Sequence, residues 1–412
     1  MFNRWISSEL ESRLTRPYVH ILFGARQTGK TTLLRSLVPK PALAYNLADP
    51  EERTRLMADP GAFRRECEAL PSERHPAYVI VDEAQGVPAV FDAVQVLYDS
   101  DKTRWRFVLC GSSARKLRRT GANLLPGRSM LHHLLPLLLC ERPPGIPSGT
   151  KEESMILPMR WPSDSDNRFP ASDLPTRLAY GDLPGIAAMP EADRPAVLRA
   201  YCSTHLEEEI RREALVKDWG AFVGFLRLAA MESGHIVNFA AISREVGLSL
   251  PTVKSYYQLL EDMFIGWHLP VYSGSPRKNL LSTPRFHFID LGIRHAAAGL
   301  KPGRDVVMTD PGRLFEQWVG IELWKRVQYI GQGGLHYFRT RDGAEIDYIL
   351  DTGREIIPIE VKWTERPSPS DARQIIRFLG DHSRAKRGFV VCRCPRPQKL
   401  AVGVTALPWF CL

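Results

Sequence analysis

The sequence predicts an α/β chain: a parallel sheet flanked by helices, then a helical block, then a second, smaller α/β unit. Three observations predict it. Between residues 18 and 140 the short apolar runs YVHILF, ALAYNL, YVIVD and RFVLCG alternate with helical patterns, as a parallel sheet covered by helices reads. From Ala179 to about Leu269 the apolar spacing is helical, as in YCSTHLEEEIRREALV and WGAFVGFLRLAAMES, with no strand-rich segment between. After His287 the helix GRLFEQWVGIELWKRV precedes the strand-like runs LHYFRT, EIDYIL and IIPIEVKW, then the helix SDARQIIRFLG and the strand GFVVCR. From Arg142 to Pro175 the text is dense in Pro, Ser and Gly and reads as a long irregular excursion. These shifts divide the chain into 1–145, 146–178, 179–300 and 305–412. Internal repeats and low-complexity tracts are lacking.

At 412 residues the chain is long enough for two or three domains, each with its own core. Hydrophobic residues make up 44% and charged residues 25%, an ordinary globular composition. The longest apolar candidate, LHHLLPLLLC, is broken by Pro136 and falls far short of the roughly 20 residues of a membrane span. The opening MFNRWISSELESRL has amphipathic-helix spacing and lacks the apolar core and cleavage site of a signal peptide, so a cytoplasmic location and no membrane partner are expected. Seven cysteines, an odd number without a C-x-x-C pair, suggest idle thiols rather than a disulfide framework; only Cys392 and Cys394 lie close together. With 55 basic and 46 acidic residues the formal charge is +9, which suits a polyanionic partner and equally a solvated arginine surface.

Gly24, Ala25, Arg26, Gln27, Thr28, Gly29, Lys30, Thr31 and Thr32 spell a P-loop, G-x-x-x-x-G-K-[ST], between an apolar strand and the helix KTTLLRSLV. Glycines let the backbone wrap phosphates, the helix start points N–H groups at the anion, Lys30 reaches β- and γ-oxygens, and Thr31 ligates Mg²⁺. ATP and Mg²⁺ are thus the expected cofactors. About fifty residues on, YVIVDEAQ ends a buried strand in Asp82, the metal-side carboxylate, and Glu83, the candidate base. RFVLCGSSARKL brings Ser112 and Ser113 to the same sheet edge, to sense the γ-phosphate or orient water, or simply to form a turn. LLPGRSML places Arg128 after a Pro-Gly turn, a posture suited to an arginine finger and equally to a surface arginine.

The set GARQTGKTT, YVIVDEAQ, GSSARKL and PGRSMLHHLLPL resembles the predicted ATPases of the AAA superfamily that carry an uncharacterised nuclease-like C-terminal domain. That resemblance implies a sensor role for Ser112 or Ser113, an inter-subunit role for Arg128, and self-association into a ring or open oligomer, a hexamer by family habit. It extends over IVNFAAISREVGLSLPTVKSYYQLLEDMFIGWHLP, which has the cadence of a helix-turn-helix within a winged-helix lid: a helix at Phe239 to Val246, a turn at Gly247 to Ser249, then a second helix with Lys254, Ser255 and Gln258 on its outer face. That face carries few arginines and suits DNA or a protein partner. Arg277 and Lys278 would form a basic wing. The chain departs from the family at THLEEEIRRE, where Glu207 to Glu209 stand in place of an Arg-Asp pair.

Glu316 falls on a predicted helix, Asp347 on a strand, and Glu360 and Lys362 on the next strand, where alternation puts both on one face. Asp347 and Glu360 are candidate Mg²⁺ ligands; the lysine would orient water and stabilise charge at phosphorus. Helix Glu, strand Asp, then Glu-x-Lys resembles the restriction-endonuclease-like superfamily, although surface salt bridges on a retained fold give the same letters. His336, Tyr337, Arg339 and Arg341 would line a nucleic-acid path or be ordinary edge-strand residues. The expected fold is thus a P-loop NTPase parallel sheet, a helical winged-helix lid and a small α/β restriction-endonuclease-like C-terminal domain. The expected function is an ATP-hydrolysing, oligomeric DNA-binding or DNA-processing protein. Branched or recombination DNA follows by analogy with Holliday-junction resolvases, which share the nuclease fold. The alternative is a nucleotide-controlled switch or assembly protein that acts on a protein partner, or binds DNA without cleaving it.

Overall fold

The computed structural model describes residues 2–112, 125–145, 156–157, 159, 167–206, 210–211, 216, 218–273, 283–340 and 343–412. Ser113, Glu207, Glu208, Glu209, Arg277, Lys278 and Arg341 lie outside the described residues. The chain divides into two compact units, Met1–Leu135 with Leu259–Phe264, and Pro136–Gln258 with Ile265–Leu412. No described helix is long and apolar enough to cross a membrane.

The first unit is a three-layer α/β sandwich. After the helix α1 (Ser7–Leu14) come β1 (Val19–Phe23), α2 (Lys30–Leu37), β2 (Leu43–Asn46), α3 (Pro50–Ala58), α4 (Ala62–Glu68), β3 (Ala77–Asp82), α5 (Ala89–Ser100), β4 (Trp105–Gly111) and β5 (Ser129–His133). The strands pair in parallel in the order β2-β3-β4-β1-β5. β1 and β4 are buried at every position, which explains why they read as unbroken apolar runs: helices cover both faces of a parallel sheet. Phe63, Phe91, Trp105 and Phe107 fill its core. Phe23 pairs with Gly111 and Val81 with Leu109, so β1, β3 and β4 end together and present three loops at one edge.

In the second unit α6 (Leu174–Tyr180), α7 (Pro184–Ala187), α8 (Arg194–Ala200), α9 (Trp219–Met231), α10 (Phe239–Val246) and the start of α11 (Leu250–Asp262) form the helical block. The expected helix-turn-helix is present: Asn238 caps α10 through the Ala241 N–H, and Gly247, at φ 67°, ends it in the left-handed conformation. Lys254 and Gln258 are exposed and Ser255 is half-buried. β6 (Gly266–Leu269) and β7 (Arg285–Phe288) form an antiparallel pair; the first lies in a stretch whose spacing reads as helix, because strands of four residues are too short to show a period.

Beyond α12 (Leu291–Ala297) and α13 (Arg304–Thr309), the long helix α14 (Pro311–Ile330) starts on an Asp310 cap with Pro311 in its first turn and stops at Gly331. It packs on a mixed sheet of β8 (Gly334–Arg339), β9 (Glu345–Asp351), β10 (Ile356–Val361), β11 (Gly388–Cys392), β12 (Gln398–Ala401) and β13 (Val404–Pro408), ordered β12-β13-β11-β10-β9-β8 with α15 (Arg373–Asp381) alongside. The α/β fold class is as expected, while the terminal β12-β13 hairpin is additional.

Candidate functional site

The P-loop occupies the turn between β1 and α2. Its tightness has a steric cause: a β-carbon at Gly24 would lie 2.3 Å from the Leu134 carbonyl oxygen. The backbone then passes through positive φ at Gln27 (62°) and Gly29 (89°) before α2 begins at Lys30. Thr28 Oγ1 donates to the Ala25 carbonyl at 2.8 Å, and Lys30 Nζ donates to the Gly24 and Ala25 carbonyls at 2.8 and 3.0 Å. The ammonium thus lies within the loop it serves. Arg26 and Gln27 are half-buried on the loop, and Thr32 is exposed in the first turn of α2.

Thr31 Oγ1 donates to Asp82 Oδ2 at 2.5 Å, which brings together a hydroxyl from α2 and a carboxylate from the end of β3. Oxygen donors of this kind fit Mg²⁺, which is held by one or two carboxylates and hydroxyls plus phosphate and water. Glu83, at φ 52°, leaves the strand in the left-handed region, and Asp82 Oδ1 accepts its N–H at 3.0 Å. Glu83 Oε2 accepts hydrogen bonds from Gln85 Nε2 and, at 3.3 Å, from Ser112 Oγ. Ser112 therefore joins the carboxylate edge, as its place at the end of β4 requires.

Two residues without an assigned role complete this edge. Gln85 is buried and braces both Glu83 and Ser112. Arg4, 6% exposed, donates to the Thr28 carbonyl and the Leu135 carbonyl, both at 2.7 Å, and so fastens the P-loop to the chain beyond β5. Arg128 does not join them. It precedes Ser129, which pairs with Val19 at the opposite end of β1 from the P-loop, and its Nε meets Asp99 Oδ1 at 2.7 Å. A five-residue strand separates the two edges by about 17 Å, so Arg128 does not reach its own chain's phosphate loop.

The second site lies in the C-terminal region. β9 and β10 run antiparallel with Tyr348 opposite Ile359, which sets Asp347 beside Glu360. Asp347 Oδ2 accepts the Val361 N–H at 2.8 Å, and Lys362 Nζ pairs with Glu360 Oε2 at 2.9 Å. Tyr348 Oη donates to the Glu316 carbonyl at 2.9 Å, bringing α14 onto the same strand. Burial and the Asp347 charge push the Glu316 carboxyl up to about 7 and the Glu360 carboxyl up to about 8. Burial lowers Lys362, but Asp347 and Glu360 outweigh it and hold the ammonium above its usual range. All four predicted residues are therefore brought together.

Among the described residues no group of three or more His, Cys, Asp and Glu is arranged to hold a metal ion by itself. Two crowded carboxylates remain a fit for Mg²⁺, which takes most of its oxygens from water and substrate, and a cation there would offset the Asp347 charge that, after burial, raises both glutamates. On the adjoining strand His336 is half-buried, Tyr337 is buried with its hydroxyl on the Thr283 carbonyl, and Arg339 is exposed.

Residues 16–142 match the family model of an AAA domain. A P-loop ATPase-type domain accordingly occupies the N-terminal region. Downstream of the AAA domain, residues 171–304 match a domain of unknown function (DUF8612) and residues 311–412 another (DUF4143). Uncharacterized proteins of Mycobacterium bovis and Mycobacterium tuberculosis are each 26% identical to this chain over 410 residues, covering 96% of it and 84% of their own length. An uncharacterized protein of Haemophilus influenzae is 24% identical over 362 residues, covering 84% of this chain and 82% of its own. The crystal structure of a Vibrio cholerae protein aligns over 94% of both chains with 13% identity and a TM-score of 0.18.

Proposed function

We propose that this chain is an ATP-hydrolysing protein of the cytoplasm that self-associates, binds DNA and cleaves phosphodiester bonds at a metal-dependent, restriction-endonuclease-like site. The reading divides the chain into an ATPase core at 1–145, a linker at 146–178, a helical winged-helix lid at 179–300 and the nuclease-like region at 305–412. The observation that carries it is the assembly of Glu316, Asp347, Glu360 and Lys362 from one helix and two paired strands. Ordinary surface salt bridges do not collect three carboxylates around one lysine and raise two of them toward neutral pH.

At the nucleotide edge Lys30 and the loop N–H groups bind and orient the phosphates of ATP, and Glu83, held by Gln85 and Ser112, accepts a proton from the attacking water. Mg²⁺ held by Thr31 and Asp82 supplies neutralisation of phosphate charge. Arg128 serves a neighbouring copy's site, which its distance from its own loop requires if it acts as a finger. At the second site Asp347 and Glu360 hold Mg²⁺, and Lys362 orients water against the phosphodiester.

The test is nicking of supercoiled and branched DNA with Mg²⁺ or Mn²⁺. Cleavage is expected from the unaltered chain and should fall at least about a hundredfold in Asp347→Ala and Lys362→Ala. Absence of cleavage of every DNA form would leave a nucleotide-controlled switch that binds DNA or a protein partner.

A further inference from the structure

The helical block holds a cavity that neither proposed chemistry uses. It lies wholly within the second unit, among α8, α9 and α12, and measures about 670 Å³. α8 continues into a π-helical turn, Tyr201–Leu206, a rare form that concentrates at functional sites, and Cys202 and Leu206 of that turn line the cavity. From α9 come Trp219, Phe222, Val223 and Leu226, whose spacing puts them on one helical face. After α12, Gly299 turns the chain at φ 75°, the Leu300 N–H closes on the His295 carbonyl at 3.0 Å, and Leu300 and Lys301 come to the rim. Val223 and Leu300 are 46% and 39% exposed, so part of this apolar wall meets water. Cys202 adds wall and not reactivity: its Sγ donates to the Ile293 carbonyl at 3.7 Å, and burial pushes the thiol up to about 12.

The charge around this cavity is one-sided. Arg199 from the end of α8, Arg227 from α9 and Lys301 from beyond α12 all line it, each is exposed, and none makes an ion pair or side-chain hydrogen bond among the described residues. The Arg227 guanidinium lies over Gly299, where a β-carbon would sit 3.4 Å from its Nε. No carboxylate stands among the described lining residues. A lone solvated arginine on a helix is ordinary. Three cations delivered by three elements to one apolar cavity complement an anion that carries an apolar body. Size selects among such anions, because cavities of about 300–1,000 Å³ hold small molecules. A partner helix roughly 10 Å across fills about 850 Å³ in two turns, more than this cavity offers. A sugar-phosphate strand has no apolar body to set against Leu206, Phe222 and Leu226.

We propose that this cavity binds a small amphiphilic carboxylate, its hydrocarbon tail against Leu206, Phe222 and Leu226 and its head at the mouth, where Arg227 with Arg199 and Lys301 supplies the positive charge. The proposal is independent of the ATPase and phosphodiesterase readings, neither of which uses these residues. Decanoate, octanoate and the neutral decanol, each below its aggregation limit, are titrated calorimetrically into the full chain. Octanoate should bind about tenfold more weakly than decanoate, since two fewer methylenes leave water. Arg227→Gln should weaken decanoate about tenfold and leave decanol nearly unchanged. Val223→Glu, which sets a like charge in the mouth, should weaken decanoate at least about tenfold. Thermal unfolding of Arg227→Gln should match the parent, because the side chain is exposed and unpaired. Decanoate binding of this pattern in a chain that neither turns over ATP nor cleaves DNA would leave the site standing and end the other readings alone. No decanoate binding up to about 1 mM, or affinity unchanged in both Arg227→Gln and Val223→Glu, would overturn it. Sedimentation with anionic phospholipid vesicles without binding of free decanoate would make the patch a membrane contact and overturn it too.

Discussion

The guanidinium of Arg4 donates to two main-chain carbonyls, those of Thr28 and Leu135, so its removal takes a charged donor from each. Arg4→Ala should lower the unfolding free energy by about 2–4 kcal/mol, read by urea denaturation, and weaken nucleotide binding because the P-loop loses its anchor. On the proposed reading, Gln85 acts one step back from chemistry by holding Glu83. Gln85→Ala should reduce kcat for ATP by about ten- to a hundredfold with KM nearly unchanged, whereas a role in binding ATP would raise KM instead. Lys30, Thr31, Asp82 and Glu83 were legible in the sequence because phosphate chemistry fixes residue types at the ends of recognisable strands. Arg4 was not, because its partners are carbonyl groups 24 and 131 positions away, and a carbonyl leaves no trace in the choice of side chain.

At the scale of elements, the paired strands β9 and β10 with α14 bury and crowd three carboxylates, and that burial, with the Asp347 charge, has a pH signature. Glu316 and Glu360 hold protons in the folded chain to about pH 7 and 8, against 4.5 for the ordinary group. A raised carboxyl favours folding in full below its unfolded value, and that contribution is lost as pH rises through the folded value. Thermal stability should therefore decline between about pH 5 and 8 and level off above; Glu360→Gln should flatten the upper half of that decline. Stability rising across the window would contradict it. The elements bearing this site were readable because β10 is a mostly apolar run of six residues, β9 sets apolar residues between carboxylates over seven, and α14 runs 20 residues between an Asp310-Pro311 start and a Gly331 stop. β6 and β12, four residues each, gave no usable period, and nothing local to β7 announces that Arg285 meets a carboxylate 31 positions on.

At the scale of the whole molecule, Arg128 stands at the sheet edge opposite its own P-loop, so its catalytic use demands a second copy. Lys30→Ala and Arg128→Ala chains, each inactive as an ATPase alone, should recover part of the activity when mixed, since an intact loop then meets an intact arginine. No recovery at any ratio would make Arg128 a structural partner of Asp99. The central claim is that one chain carries two separable chemistries. ATP turnover and strand cleavage, read from the same tubes across single-stranded, duplex and junction DNA, test it most directly. Lys30→Ala should abolish turnover and retain metal-dependent cleavage, while Asp347→Ala should retain turnover and abolish cleavage; turnover surviving in the first, or cleavage surviving in the second, would contradict the account.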